Sequence, residues 1–240
     1  MADVTLVQSG SNNGTVTPAT PGSLTLTAGN AALVLVAALG TSPTITGPGS
    51  TTNIQKIQGA TLAFGMFIRN TFTGGAFNPS YTLGGTVTGW VAAMFEFSAM
   101  GSNTGIQGSA SQASAIAQLT NIFPAAGNTL SNELFVYAVA RATATMTPQN
   151  SFMGPLAAWS ASVQPQAGVQ GLSLDFFWAS GLGQGVGQYP SSSGLLSGAV
   201  ASVAIGAWFN TIATQPSNND NIYGNNGVLV GGNYQGMLGG

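Results

Sequence analysis

The sequence predicts an all-β fold: a jelly-roll-like β-sandwich with two similar halves and an extended Gly/Asn-rich C-terminal arm. Three observations predict it. Short runs rich in Val, Thr, Ile, Leu and aromatic residues recur along the chain, which is the composition of half-buried strands. Among 240 residues, 35 Gly and 11 Pro punctuate those runs, favouring turns over long helices. No helical-period segment alternates with the strand signals as a parallel sheet would require, so two antiparallel layers are the expected way to close a core.

The strand signals run in order along the chain. Val4-Thr5-Leu6-Val7, Ser23 to Thr27, Leu33 to Val36, Thr44-Ile45-Thr46 and Thr61 to Phe64 are short and bounded by Gly, Pro or Asn. Thr86 to Phe97 follows. In its second part Val91, Ala93, Phe95 and Phe97 share one face, while Trp90, Ala92, Met94 and Glu96 share the other, because side chains alternate across a strand. Glu96 therefore interrupts an apolar face. Leu134 to Ala140, Leu172 to Trp178 and Ala199 to Phe209 complete a series of roughly nine to twelve strands. Only Ala110 to Leu119 carries a helical pattern.

Three ordered echoes suggest the two halves. Asn30 to Ala38 resembles Asn132 to Arg141, Leu62 to Phe67 resembles Leu172 to Phe177, and Val91 to Phe97 resembles Val203 to Phe209. Repeated segments in preserved order point to one domain over residues 1–213 made of two similar strand sets. From Thr214 the texture changes to a Gly/Asn-rich arm over 214–240, with Tyr223, Val228, Leu229, Val230, Tyr234, Met237 and Leu238 as isolated apolar anchors. Such a segment has little core of its own and reads either as a flexible terminus or as an arm that becomes ordered against a neighbouring subunit.

Charge narrows the functional classes. Hydrophobic residues make up 44% of the chain but charged residues only 3%, against roughly 25% in ordinary soluble domains. A net charge of −2 generates no strong field, and three cations cannot neutralise many phosphates, so no nucleic acid is expected as a partner. The N-terminus lacks a signal-peptide pattern, and no apolar run reaches the length of a membrane helix, so synthesis in the cytoplasm and no membrane partner are expected.

The charged residues are Asp3, Lys56, Arg69, Glu96, Glu133, Arg141, Asp175 and Asp220, and the chain has no His and no Cys. No catalytic triad or metal-spaced cluster can be drawn from that set, so the expectation is a non-enzyme with no cofactor and no metal. A Glu96–Asp175 pair meeting in space would be the one route to a glycosidase. The favoured alternative is that each acid satisfies a loop amide or pairs with Arg69 or Arg141. The run Gly181 to Gly187 lacks the helix, the lysine and the ribose-binding acid of a phosphate-binding loop. Trp178 and Trp208 sit among apolar neighbours and are expected in the core, whereas Trp159 and Tyr189 fall in Ser/Pro/Gln contexts and are the surface aromatic candidates.

The succession Ala28-Gly29-Asn30 before Leu33 to Val36, Trp90 to Phe97, Ser131-Asn132-Glu133-Leu134-Phe135-Val136, and Ala199 to Phe209 resembles a recurring β-sandwich module of phage and bacterial surface proteins. The resemblance spans about residues 4–213 as ordered strand patterns. It implies a structural virion protein of a tailed phage: a capsid decoration or cement protein, a minor capsid protein or a fibre domain. Its partners would be copies of itself, a trimer among them, and other virion proteins such as a major capsid protein. The alternative is a carbohydrate-binding β-sandwich module of a tail fibre or surface protein, which would take glycan on exposed aromatics.

Overall fold

The computed structural model describes residues 4–70, 73–98, 105–114, 133–142, 160–163, 171–180 and 202–210. Among them every element is a strand: β1 (Leu6–Gly14), β2 (Leu24–Leu26), β3 (Ala31–Thr46), β4 (Thr52–Gln58), β5 (Leu62–Arg69), β6 (Gly75–Phe77), β7 (Thr82–Phe97), β8 (Gly105–Ser114), β9 (Glu133–Arg141), β10 (Ser160–Val163), β11 (Ser173–Ser180) and β12 (Ser202–Asn210). All strand pairings are antiparallel. The described residues are all-β, as the sequence predicts.

The strands form two five-stranded sheets, ordered β1-β7-β3-β5-β4 and β10-β11-β9-β12-β8, and a two-stranded ribbon of β2 and β6. Read from the β8 edge, the second sheet repeats the first strand for strand: β8, β12, β9, β11 and β10 stand where β1, β7, β3, β5 and β4 stand. The chain completes one sheet before it begins the other. That path departs from the expected jelly roll, whose strands alternate between two sheets as the chain advances.

Register and irregularities repeat with the order. In the first sheet Leu6 pairs with Phe97 and Gln8 with Glu96, which leaves Val7 as an extra residue. In the second, Ile106 pairs with Phe209 and Gly108 with Trp208, which leaves Gln107. At the other edge, Thr52 to Gln55 oppose Ile68 to Met66, and Ser160 to Val163 oppose Trp178 to Phe176. Each edge strand thus carries an inserted residue at a matching position. Bulges are local devices that twist a strand and pin its register, so their recurrence marks a repeated unit and not merely two apolar sheets.

The inward residues of both sheets merge in one apolar cluster. Ala31, Leu33, Leu35 and Ala37 of β3 correspond in register to Leu134, Val136, Ala138 and Ala140 of β9. Phe64 and Met66 correspond to Leu174 and Phe176, and Val91, Ala93, Phe95 and Phe97 to Val203, Ile205, Ala207 and Phe209. The register also fixes the first echo, whose second run is one residue longer than its first: Leu33 matches Val136. A one-residue slip exchanges the two faces of a strand, and only this match keeps the inward set inward. Phe95 stacks on Phe176 with ring centroids 4.0 Å apart, and Phe97 meets Trp178 edge-on at 5.5 Å.

A second cluster covers the outer face of the first sheet. Ala19, Leu26, Phe77 and Tyr81, from the β2–β6 ribbon and its flanking segments, pack on Val34, Val36, Phe67, Trp90, Ala92 and Met94. Buried on both faces, β3 reads as an apolar run without alternation, the pattern expected of a strand enclosed in the core.

The helical expectation at Ala110 to Leu119 fails where it can be compared. Residues 110–114 belong to β8, paired with β12 from Ser114↔Ser202 to Gly105↔Asn210. Ala, Ser and Gln accept either state, and the ladder offered by β12 decides the outcome, a tertiary override of weak local preference. Ala115 to Leu119 and the whole arm at 214–240 lie outside the described residues.

Candidate functional surface

The described chemistry centres on β7, whose outer-face side chains hold β1 at two points. At one end is Glu96, fully buried. Its Oε1 accepts the Thr27 backbone N–H and Asn30 Nδ2, each at 2.7 Å, and its Oε2 accepts Gln8 Nε2 at 2.5 Å. The same Gln8 amide donates to the Thr25 carbonyl at 2.7 Å. Gly29, in the left-handed region at φ 86°, turns the chain so that Thr27 and Asn30 both face the carboxylate, a conformation suited to glycine.

Burial alone would raise the Glu96 pKa, but the Thr27 backbone donor and the side chains of Gln8, Asn30 and Thr27 outweigh it, and the carboxyl titrates below its ordinary value. An acid held ionised by neutral donors is a poor proton donor near neutral pH. It is well suited to clamp three segments of chain. Glu96 therefore satisfies a loop amide, as the sequence favours.

At the other end, Trp90 Nε1 donates to the Val16 carbonyl at 2.7 Å. Its ring lies over Gly14, where an added Cβ would stand 2.7 Å from the ring, closer than real Cβ contacts come. Gly14 is thus required by the ring it carries. Between these two clamps β1 lies on the edge of the sheet, bonded to β7 on one side.

Among the described residues Tyr81 is also perturbed. Burial against Phe67, with ring centroids 4.8 Å apart, pushes its phenol well above the ordinary range, and Thr51 acts in the opposite sense. Lys56 donates to the Ile45 carbonyl at 3.0 Å, and Arg69 stacks over Phe77 at 5.0 Å. On the second sheet, Arg141 is buried and pairs in register with Ser173 and Ser202.

The sequence candidates distribute unevenly. Glu96 faces the outer cluster of the first sheet, away from the layer shared with the second sheet, which carries Asp175 on β11; the Asp175 side chain itself lies outside the described residues. Trp178, expected in the core, is partly buried against it, the Trp208 side chain lies outside the described residues, and Trp90 is buried. Trp159, Tyr189, Tyr223, Val228, Leu229, Val230, Tyr234, Met237 and Leu238 lie outside the described residues. Sequence reasoning missed Gln8, Thr27 and Asn30 as the partners of Glu96. They sit 88, 69 and 66 residues away from it, and nothing in their local patterns signals the meeting.

Among the described residues no group of three or more His, Cys, Asp or Glu could hold a metal ion, and no helix is long and apolar enough to cross a membrane. Comparison with protein-family models, with curated proteins and with solved structures finds no match.

Proposed function

We propose that this chain is an assembly subunit, a structural virion protein of a tailed phage acting as a capsid decoration, cement or minor capsid component. The observation that carries this reading is the near-absence of charge: eight charged residues in 240, with Glu96 saturated by neutral donors inside the fold. Neutral surfaces of small polar residues associate without burying unpaired charge, which is the costly part of an interface. The phage assignment rests on the strand-pattern resemblance alone.

The finer fold belongs to the same reading. Two five-stranded sheets with one shared apolar layer support a β-sandwich built by repeating a five-stranded unit, in place of a jelly-roll path. Described aromatics favour assembly over glycan binding, because Trp90, Tyr81, Phe95 and Phe97 are buried and form no solvent-facing platform.

Light scattering on the purified full-length chain, with electron microscopy of the same sample, tests the reading. A discrete oligomer or array supports it. A monomer at high concentration overturns it and makes glycan screening the next step.

A further inference from the structure

The two edges of the first sheet are treated differently. At one edge β4 lies against β8 of the second sheet and carries Lys56. At the other, β1 runs for nine residues, Leu-Val-Gln-Ser-Gly-Ser-Asn-Asn-Gly, without a charge or a proline. Charged residues, proline, short length and cover are the usual protections of a sheet edge. β1 has none of them beyond the bulge at Val7.

Among the described residues its backbone is also unpartnered on the outer side. From Leu6 to Gly14 the main chain bonds to β7, and beyond that ladder Asn13 N–H reaches only the Asn12 side chain, at 2.9 Å. The side chains of Val7, Ser9, Ser11 and Asn12 are exposed. Among the described residues the exposed large apolar side chains are Val7, at 47%, and Val16, at 73%. Both belong to this edge: Val7 is its bulge residue, and Val16 lies two residues beyond its last residue, Gly14, with its carbonyl held by Trp90.

We infer that the free edge of β1 pairs antiparallel with β1 of a second copy of this chain, joining the two first sheets into one continuous sheet across a two-fold axis. Resting on the assembly reading above, this names the surface and the partner. A second copy is the occupant because an antiparallel strand pair is self-complementary about a two-fold. The segment has no charge with which to select a charged partner or to repel its own image. Ser9, Ser11 and Asn12 supply neutral hydrogen-bonding side chains along the pair, and Glu96, through Gln8, and Trp90 hold the strand from behind. A strand pair with a few flanking contacts is smaller than a standard interface of roughly 1,600 Å². Dissociation constants on the order of micromolar are therefore expected for this contact alone.

The test uses the full-length chain and two double variants, S9K/S11K on the free edge and T52K/Q58K on the opposite edge, all four positions being exposed. Mass is read by light scattering over a concentration series, with circular dichroism to check the fold. Hydrogen exchange of residues 6–14 in the unmodified chain is followed at low and high concentration. The inference expects S9K/S11K to weaken self-association by about 100-fold or more through like charges facing each other. It expects T52K/Q58K to associate like the parent and exchange over 6–14 to slow as concentration rises. If the parent assembles while S9K/S11K keeps its mass and exchange over 6–14 ignores concentration, the seam is wrong and the assembly reading stands. Should S9K/S11K fail to fold, exchange in the parent chain decides alone. A parent that stays monomeric throughout overturns both.

Discussion

The two sheets share strand order, register and bulges, yet fill that frame with different side chains. Phe95 of the first sheet stacks on Phe176 of the second. The corresponding residues across the pseudo-repeat are Ala207 and Met66, so one side of the shared core holds two rings and the other a methionine and an alanine. Trp90 opposite Gly14 in the first sheet stands where the second sheet pairs Ser202 with Ser114. Ala38 corresponds to Arg141. Backbone geometry is therefore repeated, while packing is solved locally by complementary large and small residues, as close-packed interiors require.

The largest expected effect comes from breaking that complementarity in the shared layer. Phe95→Ala should cost about 3–5 kcal/mol by chemical denaturation. Phe176→Ala should cost a similar amount, and the double variant should fall short of the sum by about 0.5–1.5 kcal/mol because the rings interact. Strict additivity would separate the two sheets energetically.

Gly40→Ala probes the first sheet where its two longest strands cross. An added Cβ there would lie 1.8 Å from the Thr86 carbonyl oxygen, so the β3–β7 ladder must shift, at about 3 kcal/mol. A melting curve unchanged from the parent would show that this crossing relaxes freely.

Glu96→Gln removes the charge that the first sheet uses to hold its covering segment and presents an amide to donors. A loss of about 1.5–3 kcal/mol is expected near neutral pH. The pH dependence has a definite sign. Because the folded carboxyl titrates below its ordinary value of 4.5, its stabilising contribution is complete above that value and is lost as pH falls through the lower folded value. Urea titrations at pH 7 and in the acid range should show the Gln variant losing less stability on acidification than the parent. The smallest effect belongs to Trp90→Phe, which keeps most of the ring and drops the bond to Val16: about 1 kcal/mol, with faster exchange near Val16.

The apolar strands were legible because burial leaves a compositional trace: β3, β5, β7, β9, β11 and β12 all lie within or overlap predicted runs. β4, with Gln55, Lys56 and Gln58 around two isoleucines, escaped because an edge strand with one wet face resembles a polar loop. β6 and β10 are too short to carry a period, and β8, made of Gly, Ser, Ala and Gln around one isoleucine, holds little strand preference. The open register of the first echo has the same root as its visibility. Where both faces of a strand are buried, Ala, Val and Leu occupy odd and even positions alike, and parity becomes unreadable. Glu96 was legible as a break in an apolar face, but its ligands were not, because three distant segments meet only in the folded chain.

Because each sheet is made from one continuous stretch, the order of synthesis acquires meaning. Once Phe97 has left the ribosome the first sheet can close its own ladders, but the remaining strands, through Asn210, arrive only after a delay on the order of ten seconds at about 5–20 residues per second. During that interval Leu33, Leu35, Phe64, Met66 and Phe95 have no lid. The lid they await is a near-copy of their own sheet, so another nascent chain in the same state offers a nearly matching surface. Intertwined dimers that exchange half-molecules are thus the characteristic misassembly of this architecture, and spacing between ribosomes on one message is the variable that should control their yield.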